Sequence, residues 1–545
     1  MSVKSNDCSY TYIDAEKFQD MLLNKNDEFT ILDIRENGVF ADAHIFSATS
    51  LPLSHLECRI LTLVPRLETT IVLIGSGPND TLTKLAADRL GQWRYSNILI
   101  LRGGMEDWVN KGYPVFSGVH VPSKAFGEFA EYSYKTPSIG ADTLQAWLKD
   151  NKDLILVDCR PYAEYHLSSV PGAICCPGME LPYRIFSLPR NVDTPIVITC
   201  AGRTRGIIGT QTLIEMGISN PVVVLENGMA GWYLNGGKLL AGQNKIVPPP
   251  THEGLNQAML AARRIADRFE IEEIDERVYK EYVQETSKTL YILDVRTPEE
   301  YAAGHLPGSR SAPGGQLIQA TDFYVGVRNA RLLLVDDDGV RARFTAAWLR
   351  QMGWHNVAVL RLSTVVTNHG YEVGKEPEEW VCTLPNDIPL VSPFALYQIQ
   401  NQGEGVVVVD LASSLDYREQ HIPGSVFATR SALNESLSIL EDASEIVLTC
   451  PDGLFSQLAW QEVTQLVDVP VHVLQGGTTA WKAAGLPLSN ALEVMKSSPG
   501  DVWYSPYDRA DKREAMQEYL DWEVELLDRI KKEPSADFWC KPKVS

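Results

Sequence analysis

The sequence predicts an α/β protein made of four tandem small domains, each a mostly parallel sheet flanked by helices. Three observations predict it: chain length, a fourfold internal repeat, and short apolar runs that alternate with amphipathic stretches. At 545 residues the chain exceeds what one hydrophobic core usually serves, so several domains are expected. Short apolar runs that alternate with helical periodicity are typical of parallel strands covered by helices.

Each repeat begins with an apolar strand that ends in Asp, followed by a turn that returns eleven positions later at His or Ser. The four copies read ILDIRENGVFADAHIFSA, LVDCRPYAEYHLSSVPGA, ILDVRTPEEYAAGHLPGS and VVDLASSLDYREQHIPGS. The shared spacing indicates one unit repeated four times. The paired positions are Asp33 and His44, Asp158 and Ser169, Asp294 and His305, and Asp410 and His421.

Each repeat continues with a second apolar strand, a loop and an amphipathic helix, followed by a third strand. That third strand ends in LRGGMEDW, LENGMAGW and LQGGTTAW in copies one, two and four, whereas copy three has LRLSTVV. Each copy is therefore a domain of about a hundred residues, an ordinary size. The predicted boundaries are 1–120, 135–245, 276–375 and 385–490 for the domains, 246–275 for a linker helix and 491–545 for a C-terminal helical extension.

The C-terminal extension carries a charged segment whose Leu, Trp and Val spacing predicts a helix that packs on a neighbour. Phe538 and Trp539 follow it and would be exposed unless they dock. Docking is therefore expected, either within the chain or across a homodimer.

Charge and composition exclude several classes of protein. A formal charge of −21 argues against a nucleic-acid partner, because phosphate contacts need a surplus of Lys and Arg. No apolar run has bilayer length and the start lacks a signal peptide, which predicts a cytoplasmic protein without membrane association. Nine cysteines, without zinc-like spacing, are expected to be free thiols, with no metal or organic cofactor.

The Asp-x-Arg turn, the PGA-like corner, the strand–Cys–loop–helix unit and the Gly-Gly…Trp ending together resemble the rhodanese (sulfurtransferase) domain. The resemblance covers nearly all of the chain as four tandem copies. It implies an α/β fold. Where the loop cysteine is kept, it also implies a cysteine persulfide that carries sulfur from a donor to a thiophilic acceptor.

Cys200, the loop cysteine of copy two, is the predicted catalytic nucleophile. It ends the strand in VITCAGRTRGIIG, and a helix is predicted to begin within 204–208. Backbone N–H groups of the loop and of the helix N-terminus then favour the thiolate, although a free cysteine has a pKa of about 8.5. The predicted substrate-binding residues follow Cys200: Ala201, Gly202, Arg203, Thr204, Arg205 and Gly206.

The two loop arginines should supply the local attraction for an anion that the acidic chain otherwise lacks. Arg203 and Arg205 are predicted to hold a dianionic donor such as thiosulfate by charge-assisted hydrogen bonds. Solvation or pairing with carboxylates is the alternative for each.

The resemblance assigns supporting roles to further residues of copy two. Asp158 and Arg160 match the family's structural Asp-x-Arg and are expected to shape the site as a buried ion pair or capping pair. Arg184 falls where family members often keep an arginine near the pocket mouth, and Arg59 has the matching place in copy one. The other thiols of the domain are expected to be packing residues rather than resolving thiols: Cys159, Cys175 and Cys176.

The other three copies differ at the cysteine position. Gly75 takes that place in copy one and Asp336 in copy three, so neither can form a persulfide. The three consecutive carboxylates that begin at Asp336 lack the spacing of a calcium loop and are expected to form a solvated turn. Copy four keeps Cys450 as a second candidate thiol, but Asp452 should raise its pKa and Phe455 replaces a basic residue. The role of the inactive copies, including any contact with the pocket of copy two, stays open.

The predicted function is transfer of sulfane sulfur through a Cys200 persulfide. The donor is a small sulfur-containing anion, thiosulfate or a persulfide, and the acceptor is cyanide, a thiol or a protein cysteine. One alternative is a persulfide relay or docking protein that delivers sulfur to a partner. Another is a phosphatase or arsenate reductase, whose related folds use five residues between Cys and Arg where this loop has four.

Overall fold

The computed structural model of the chain describes residues 10–189, 191–364, 370–376, 381–382, 384–385, 387–403, 405–437, 443–490, 494–495 and 500–541. Within these residues the predicted α/β class is confirmed, with one sheet in each repeat and helices packed around it. The predicted domain boundaries stay predictions. Residues 1–9 of the predicted first domain, and 491–493, 496–499 and 542–545 of the predicted extension, lie outside the described residues.

Among the described residues, copies one and two each contain five strands of their own, five helices and a 3-10 turn, and a helix joins them. The elements of copy one are β1 (Thr11–Ile13), α1 (Ala15–Leu22), β2 (Phe29–Asp33), α2 (Asn37–Asp42), β3 (Thr49–Ser50), a 3-10 turn (Leu53–His55), α3 (Leu56–Leu63), β4 (Thr70–Ile74), α4 (Leu82–Gln92), β5 (Ile98–Leu101) and α5 (Gly104–Asn110). The joining helix is α6 (Val121–Tyr134). The elements of copy two are β6 (Ser138–Ile139), α7 (Ala141–Lys149), β7 (Ile155–Asp158), α8 (Tyr162–Leu167), β8 (Ile174–Cys175), α9 (Glu180–Arg184), a 3-10 turn (Ile185–Ser187), β9 (Ile196–Thr199), α10 (Thr204–Met216), β10 (Val222–Leu225) and α11 (Gly228–Leu234).

Copies three and four follow a second joining helix, α12 (His252–Phe269). The elements of copy three are β11 (Glu272–Glu273), α13 (Glu276–Gln284), β12 (Leu290–Asp294), α14 (Pro298–Ala303), β13 (Arg310–Ser311), α15 (Gly314–Gln319), α16 (Thr321–Tyr324), β14 (Val327–Arg328), β15 (Arg331–Asp336), α17 (Val340–Gln351), β16 (Val357–Arg361) and a 3-10 turn (Leu362–Thr364). The elements of copy four are β17 (Leu390–Val391), α18 (Pro393–Gln402), β18 (Val406–Asp410), α19 (Ser414–Glu419), β19 (Val426–Phe427), a 3-10 turn (Arg430–Ala432), α20 (Leu433–Leu437), β20 (Glu445–Thr449), α21 (Leu454–Leu466), β21 (Val471–Leu474) and α22 (Gly477–Ala483). The extension supplies β22 (Val494–Met495) and α23 (Lys512–Ile530).

The four sheets share one strand order. In copy two it is β6-β10-β9-β7-β8, with every neighbouring pair parallel. The same order recurs as β1-β5-β4-β2-β3, β11-β16-β15-β12-β13 and β17-β21-β20-β18-β19, and β22 pairs with β19. The central strand β9 is buried along its whole length, as expected for a parallel strand covered on both faces. This burial fixes the carboxyl end of β9, where Cys200 follows.

Copies one and three are joined by a shared sheet, which tandem independent domains would not have. Strand β14 of copy three pairs antiparallel with β2 of copy one, with Val327 opposite Thr30. The Tyr291 hydroxyl donates a hydrogen bond of 2.5 Å to the carbonyl oxygen of Leu63. The repeats therefore form one packed body across this edge.

Buried ion pairs join the other copies. Arg341 of copy three has no exposed side-chain surface, and its Nη1 lies 2.9 Å from Glu180 Oε1 of copy two. Arg430 of copy four donates from Nη2 to Glu57 Oε1 of copy one at 2.8 Å. Charged groups of this kind are rarely buried unless paired, so each pair ties two copies together.

The C-terminal extension docks within the chain. Helix α23 packs against α6 and α11. The Phe538 ring contacts Phe46, Phe126 and Phe129, and Trp539 Nε1 donates to the Arg350 carbonyl at 2.8 Å. These aromatic groups therefore have partners inside the same chain.

Candidate active site

The loop after β9 carries Cys200 at the carboxyl end of the strand, and α10 begins at Thr204, within the predicted range. The loop is held from α11 by hydrogen bonds from Met229 N–H to the Cys200 carbonyl, 2.8 Å, and from Ala230 N–H to the Ala201 carbonyl, 3.0 Å. A Cβ on Gly228, whose φ is 53°, would lie 2.5 Å from the Cys200 carbonyl oxygen. The glycine in LENGMAGW is thus required by this close approach.

The surroundings of the Cys200 sulfur favour its thiolate form. The residue is 2% exposed, and its Sγ lies 3.7 Å from the Arg203 carbonyl oxygen. A hydrogen bond from the Cys159 thiol lowers the pKa of Cys200, and the Arg205 charge and the Gly206 N–H lower it further, while burial opposes them. A thiolate is the nucleophilic form of cysteine, so these groups prepare Cys200 for attack.

Cys159 is buried in the core, as expected of a packing residue, and it follows β7 directly beside Cys200. Its interaction with the Cys200 thiol and its burial raise the pKa of Cys159 well above its ordinary value. By contrast, Cys175 lies 3.6 Å from the Arg160 carbonyl and Cys176 is buried in the core. No sequence motif predicted that Cys159 lies beside Cys200, because this position depends on the register between β7 and β9.

A cavity of about 660 Å³ opens onto the loop. The sequence left open whether the other copies contact the pocket of copy two, and residues of these copies line this cavity. The predicted residues from Cys200 to Arg205 line it, whereas Gly206 contributes only its N–H to the sulfur. All four copies, helix α6 and the C-terminal extension contribute to the wall. Representative residues are Arg59 from copy one, Lys124 from α6, Phe323 from copy three, Leu415 from copy four, and Tyr519 and Glu523 from α23.

The two loop arginines are paired with carboxylates, the alternative to their predicted role in holding a dianionic donor. Arg205 donates to both oxygens of Glu164, at 2.7 and 2.9 Å. Arg203 donates to both oxygens of Glu128 at 2.7 Å and also contacts Glu131. The alternative of carboxylate pairing therefore holds for both, and each guanidinium has its charge balanced next to the loop.

Arg59 lines the cavity, whereas Arg184, which was predicted to lie near the pocket mouth, does not. Arg184 Nε donates to Glu180 Oε2 at 2.5 Å, and Arg184 is absent from the cavity wall. Arg59 stacks on the Phe323 ring at 4.0 Å and donates from Nη2 to the Phe323 carbonyl at 2.6 Å. In the described part of the chain no carboxylate lies within ion-pair distance of Arg59. Burial and the nearby Arg310 lower its pKa to about 10.

The expected Asp-x-Arg pair is present beneath the loop. Arg160 donates from Nη2 to Asp158 Oδ2 at 2.7 Å, and both side chains are buried. Ser169, which replaces the histidine of the other copies, donates to the same Asp158 oxygen at 2.6 Å. Copy four has Ala412 in place of the arginine, and burial there raises the pKa of Asp410 to about 7.

Helix α23 covers the loop with groups that sequence reasoning missed. Glu523 Oε1 lies 3.6 Å from Lys124 Nζ, and the Lys124 ammonium also contacts the Tyr519 hydroxyl. A Cβ on Gly202 would lie 3.0 Å from Glu523 Oε2, so the carboxylate sits directly over the loop. Burial lowers the pKa of Lys124 and raises that of Glu523. These residues come from segments outside copy two, and no motif in the sequence marks them.

Comparison with known proteins decides the family. A model of the rhodanese-like domain matches residues 14–111, 140–235, 276–365 and 392–484. The chain belongs to the rhodanese family.

A solved structure and two curated relatives agree with this family assignment. The crystal structure of a thiosulfate sulfurtransferase from Pseudomonas aeruginosa superposes with a TM-score of 0.91 at 41% identity, covering 97% of this chain and 99% of that one. A sulfurtransferase from Allochromatium vinosum is 29% identical over 19% of this chain and 94% of its own length. A thiosulfate sulfurtransferase from Pseudoalteromonas translucida is 31% identical over 15% of this chain and 77% of its own. Family and relatives support sulfur transfer between a donor and an acceptor as the general activity.

The rhodanese loops of copies one and three are filled by carboxylates. In copy one, Asp80 accepts hydrogen bonds from Ser76 N–H at 2.6 Å and Leu82 N–H at 2.8 Å. In copy three, Asp336 accepts from Gly339 N–H at 2.6 Å and from Ala342 N–H at 3.1 Å. The expected solvated turn is therefore wrong for Asp336, which is fully buried because it occupies the anion position of its own loop.

The rhodanese loop of copy four holds Cys450 in a different state from Cys200. Ser456 N–H donates to Cys450 Sγ at 3.4 Å, the counterpart of Gly206 in copy two. Burial raises the pKa of Cys450 to about 11, and the Asp452 carboxylate adds to the rise. The predicted rise in the pKa of Cys450 next to Asp452 agrees with this, although burial is the larger cause of the rise.

No helix in the described residues is both long and apolar enough to cross a lipid bilayer.

Proposed function

We propose that this rhodanese transfers sulfane sulfur from thiosulfate or another persulfide donor, through a Cys200 persulfide, to a small thiophilic acceptor. One observation carries the proposal: Cys200 lines the cavity and sits among groups that lower its pKa, whereas burial raises the pKa of Cys450. Copies one and three offer a carboxylate instead of a thiol. Copy two is thus the best-prepared site for nucleophilic catalysis.

The reaction runs in two half-reactions. The Cys200 thiolate attacks the outer sulfur of thiosulfate, the sulfur–sulfur bond of the donor breaks, and sulfite leaves with the electron pair. The outer sulfur of the persulfide then carries a negative charge, which the N-terminus of α10 favours. Cyanide or a thiolate attacks that outer sulfur, and Cys200 leaves as the thiolate.

Arg59 is the group that we assign to the anionic end of the donor. Glu164 and Glu128 neutralise the loop arginines, so a second anion gains little from them. Arg59 lines the same cavity without a carboxylate partner among the described residues, and with a pKa of about 10 it stays cationic at neutral pH. Copy one would then supply the binding group for the chemistry of copy two.

The enclosure of Cys200 favours small acceptors over a protein relay. The residue is 2% exposed, and Tyr507 and Glu523 of the extension lie against its loop. A protein cysteine would have to displace the extension to reach the sulfur, whereas cyanide or a small thiol can enter the cavity. Phosphatase chemistry is disfavoured because the Arg205 guanidinium is bidentate on Glu164.

The test is thiocyanate formation from thiosulfate and cyanide by the full-length chain. We expect ping-pong kinetics for the parent and a loss of at least about a thousandfold in kcat/KM for Cys200→Ser, because a serine hydroxyl stays protonated and cannot hold a persulfide. Cys450→Ser is the matched control and should keep parental kinetics. Parental turnover by Cys200→Ser, or its loss in Cys450→Ser alone, would contradict the choice of site.

A further inference from the structure

Cys159 and Cys200 are neighbours across two parallel strands. Strands β7 and β9 pair with Asp158 opposite Thr199, so the next residue of each strand is a cysteine. The Cys159 N–H donates to the Thr199 carbonyl at 2.9 Å, which extends the ladder to this point. Neighbouring strands lie about 4.8 Å apart, within the Cα separation of about 4.4–6.8 Å that disulfides adopt.

The two side chains also point to the same place. Paired positions on neighbouring parallel strands direct their side chains to the same face of the sheet, and both residues belong to the same core cluster, with 1% and 2% of their surface exposed. A disulfide between them therefore needs no movement of a strand.

The outer sulfur of a Cys200 persulfide and the Cys159 thiol would lie on opposite sides of Cys200 Sγ, as a displacement at that sulfur requires. Cys200 lines the 660 Å³ cavity, whereas Cys159 does not. The outer sulfur of a persulfide has room on the cavity side, and Cys159 approaches Cys200 Sγ from the core side. Attack on the inner sulfur from behind the bond to the outer sulfur is the geometry that thiol–disulfide exchange uses.

We propose that Cys159 is a resolving thiol that gives this rhodanese a second outlet, release of the carried sulfur as sulfide. The proposal rests on the Cys200 persulfide of the proposed function. Cys159 Sγ bonds to Cys200 Sγ, the bond from Cys200 Sγ to the outer sulfur breaks, and the outer sulfur leaves as hydrosulfide with the proton of Cys159. The product is a Cys159–Cys200 disulfide, which two equivalents of a small thiol reduce back to the dithiol.

The protonation of Cys159 makes this outlet the slower one. Its hydrogen bond to Cys200 and its burial keep it a thiol, and thiols attack more slowly than thiolates. An acceptor in the cavity would take the sulfur first, and sulfide would be released when no acceptor is bound.

The experiment uses full-length protein incubated with thiosulfate, freed of small molecules, and followed by intact mass without reductant and by trapping of sulfide. For the parent we expect a gain of about 32 Da that decays to a loss of about 2 Da as one sulfide per chain is released. Cys159→Ser should accumulate the persulfide and release no sulfide, because its hydroxyl can donate to Cys200 but cannot form the disulfide. Cys176→Ser, which removes a neighbouring buried thiol, is the matched control and should behave as the parent.

The outcomes separate this proposal from the proposed function. Two results would overturn the role of Cys159 while leaving the proposed function intact, provided that every form gains 32 Da. One is sulfide release from Cys159→Ser at the parental rate, and the other is a parent that never shows the 2 Da loss. Absence of the 32 Da gain in every form contradicts the proposed function and the resolving step with it. Thermal melting confirms that Cys159→Ser is folded, and Cys159→Ala replaces it if it is not.

Discussion

At the residue scale, Cys200 and Cys450 follow the same strand in two copies, yet their surroundings push the two thiols in opposite directions. Each receives an N–H from the sixth residue after it, Gly206 or Ser456. Cys200 also has the Cys159 thiol and the Arg205 charge to lower its pKa, whereas at Cys450 burial and the Asp452 carboxylate outweigh the Ser456 and Gly453 groups that lower it. The groups around each sulfur, rather than the loop itself, therefore set the direction in which its pKa shifts.

Arg59→Gln tests the assignment of the donor's anionic end. Loss of one charge-assisted hydrogen bond removes about 1.5–3 kcal/mol, so we expect the KM for thiosulfate to rise at least about tenfold while kcat changes less. Initial rates over a range of thiosulfate concentrations check it. Arg184→Gln is the comparison, since Arg184 does not line the cavity and its KM should stay parental. A KM effect from Arg184→Gln and none from Arg59→Gln would reverse the assignment.

The sequence predicted the place of Cys200 and of its loop but left the state of the loop arginines open. Cys200 could be predicted because strand, cysteine, small residues and helix are contiguous. The carboxylates that bind Arg203 come from α6, in a linker without a motif, so their effect could not be read from the loop. Arg59 was identified only as the copy-one counterpart of Arg184. Its approach to the Cys200 cavity, like that of Glu523, depends on how distant parts of the chain pack together.

At the element scale, the glycine-containing ending of the third strand, LENGMAGW in copy two, positions the loop that carries Cys200. Gly228 at the start of α11 lies against the carbonyls of the loop, and Gly104 does the same in copy one, where its Cβ would lie 2.5 Å from the Gly75 carbonyl oxygen. This contact explains why the motif accompanies the loop in copies one, two and four. The mostly parallel sheets and the helix start of α10 were predictable from such local patterns, whereas the two-residue strand β14 was too short to leave a pattern.

Gly228→Ala should therefore damage both stability and catalysis. Its φ of 53° and the overlap with the Cys200 carbonyl oxygen each oppose a side chain. The overlap should cost about 1–3 kcal/mol beyond the backbone strain. Gly236→Ala is the matched control, because Gly236 has a φ of 80° but no atom within 4 Å of its Cβ position. Urea unfolding and kcat/KM measure the difference, and equal effects of the two variants would contradict a tight loop contact.

At the scale of the whole molecule, the four copies form one body around one cavity. Copies one and three share a sheet, and buried arginines tie copy two to copy three and copy four to copy one. Copies one and three have Gly75 and Asp336 at the position of the loop cysteine, and both supply residues to the wall of the Cys200 cavity.

Arg341→Ala tests the interface between copies two and three. It would leave Glu180 and Glu300 without the guanidinium that they share, and breaking a buried pair in this way costs about 3–5 kcal/mol. We expect the melting temperature of the full chain to fall by several degrees. Arg277→Ala, which breaks an exposed pair with Glu281, should change it little. A melting temperature unchanged by Arg341→Ala would mean that the copies do not depend on this contact.

The most direct test of the central claim is the intact mass of the full chain after brief incubation with thiosulfate, followed by peptide mapping of the added sulfur. We expect a gain of about 32 Da on the peptide that holds Cys200, lost in Cys200→Ser and kept in Cys450→Ser. A gain that survives Cys200→Ser and maps to Cys450 would contradict it, as would the absence of any gain in the parent.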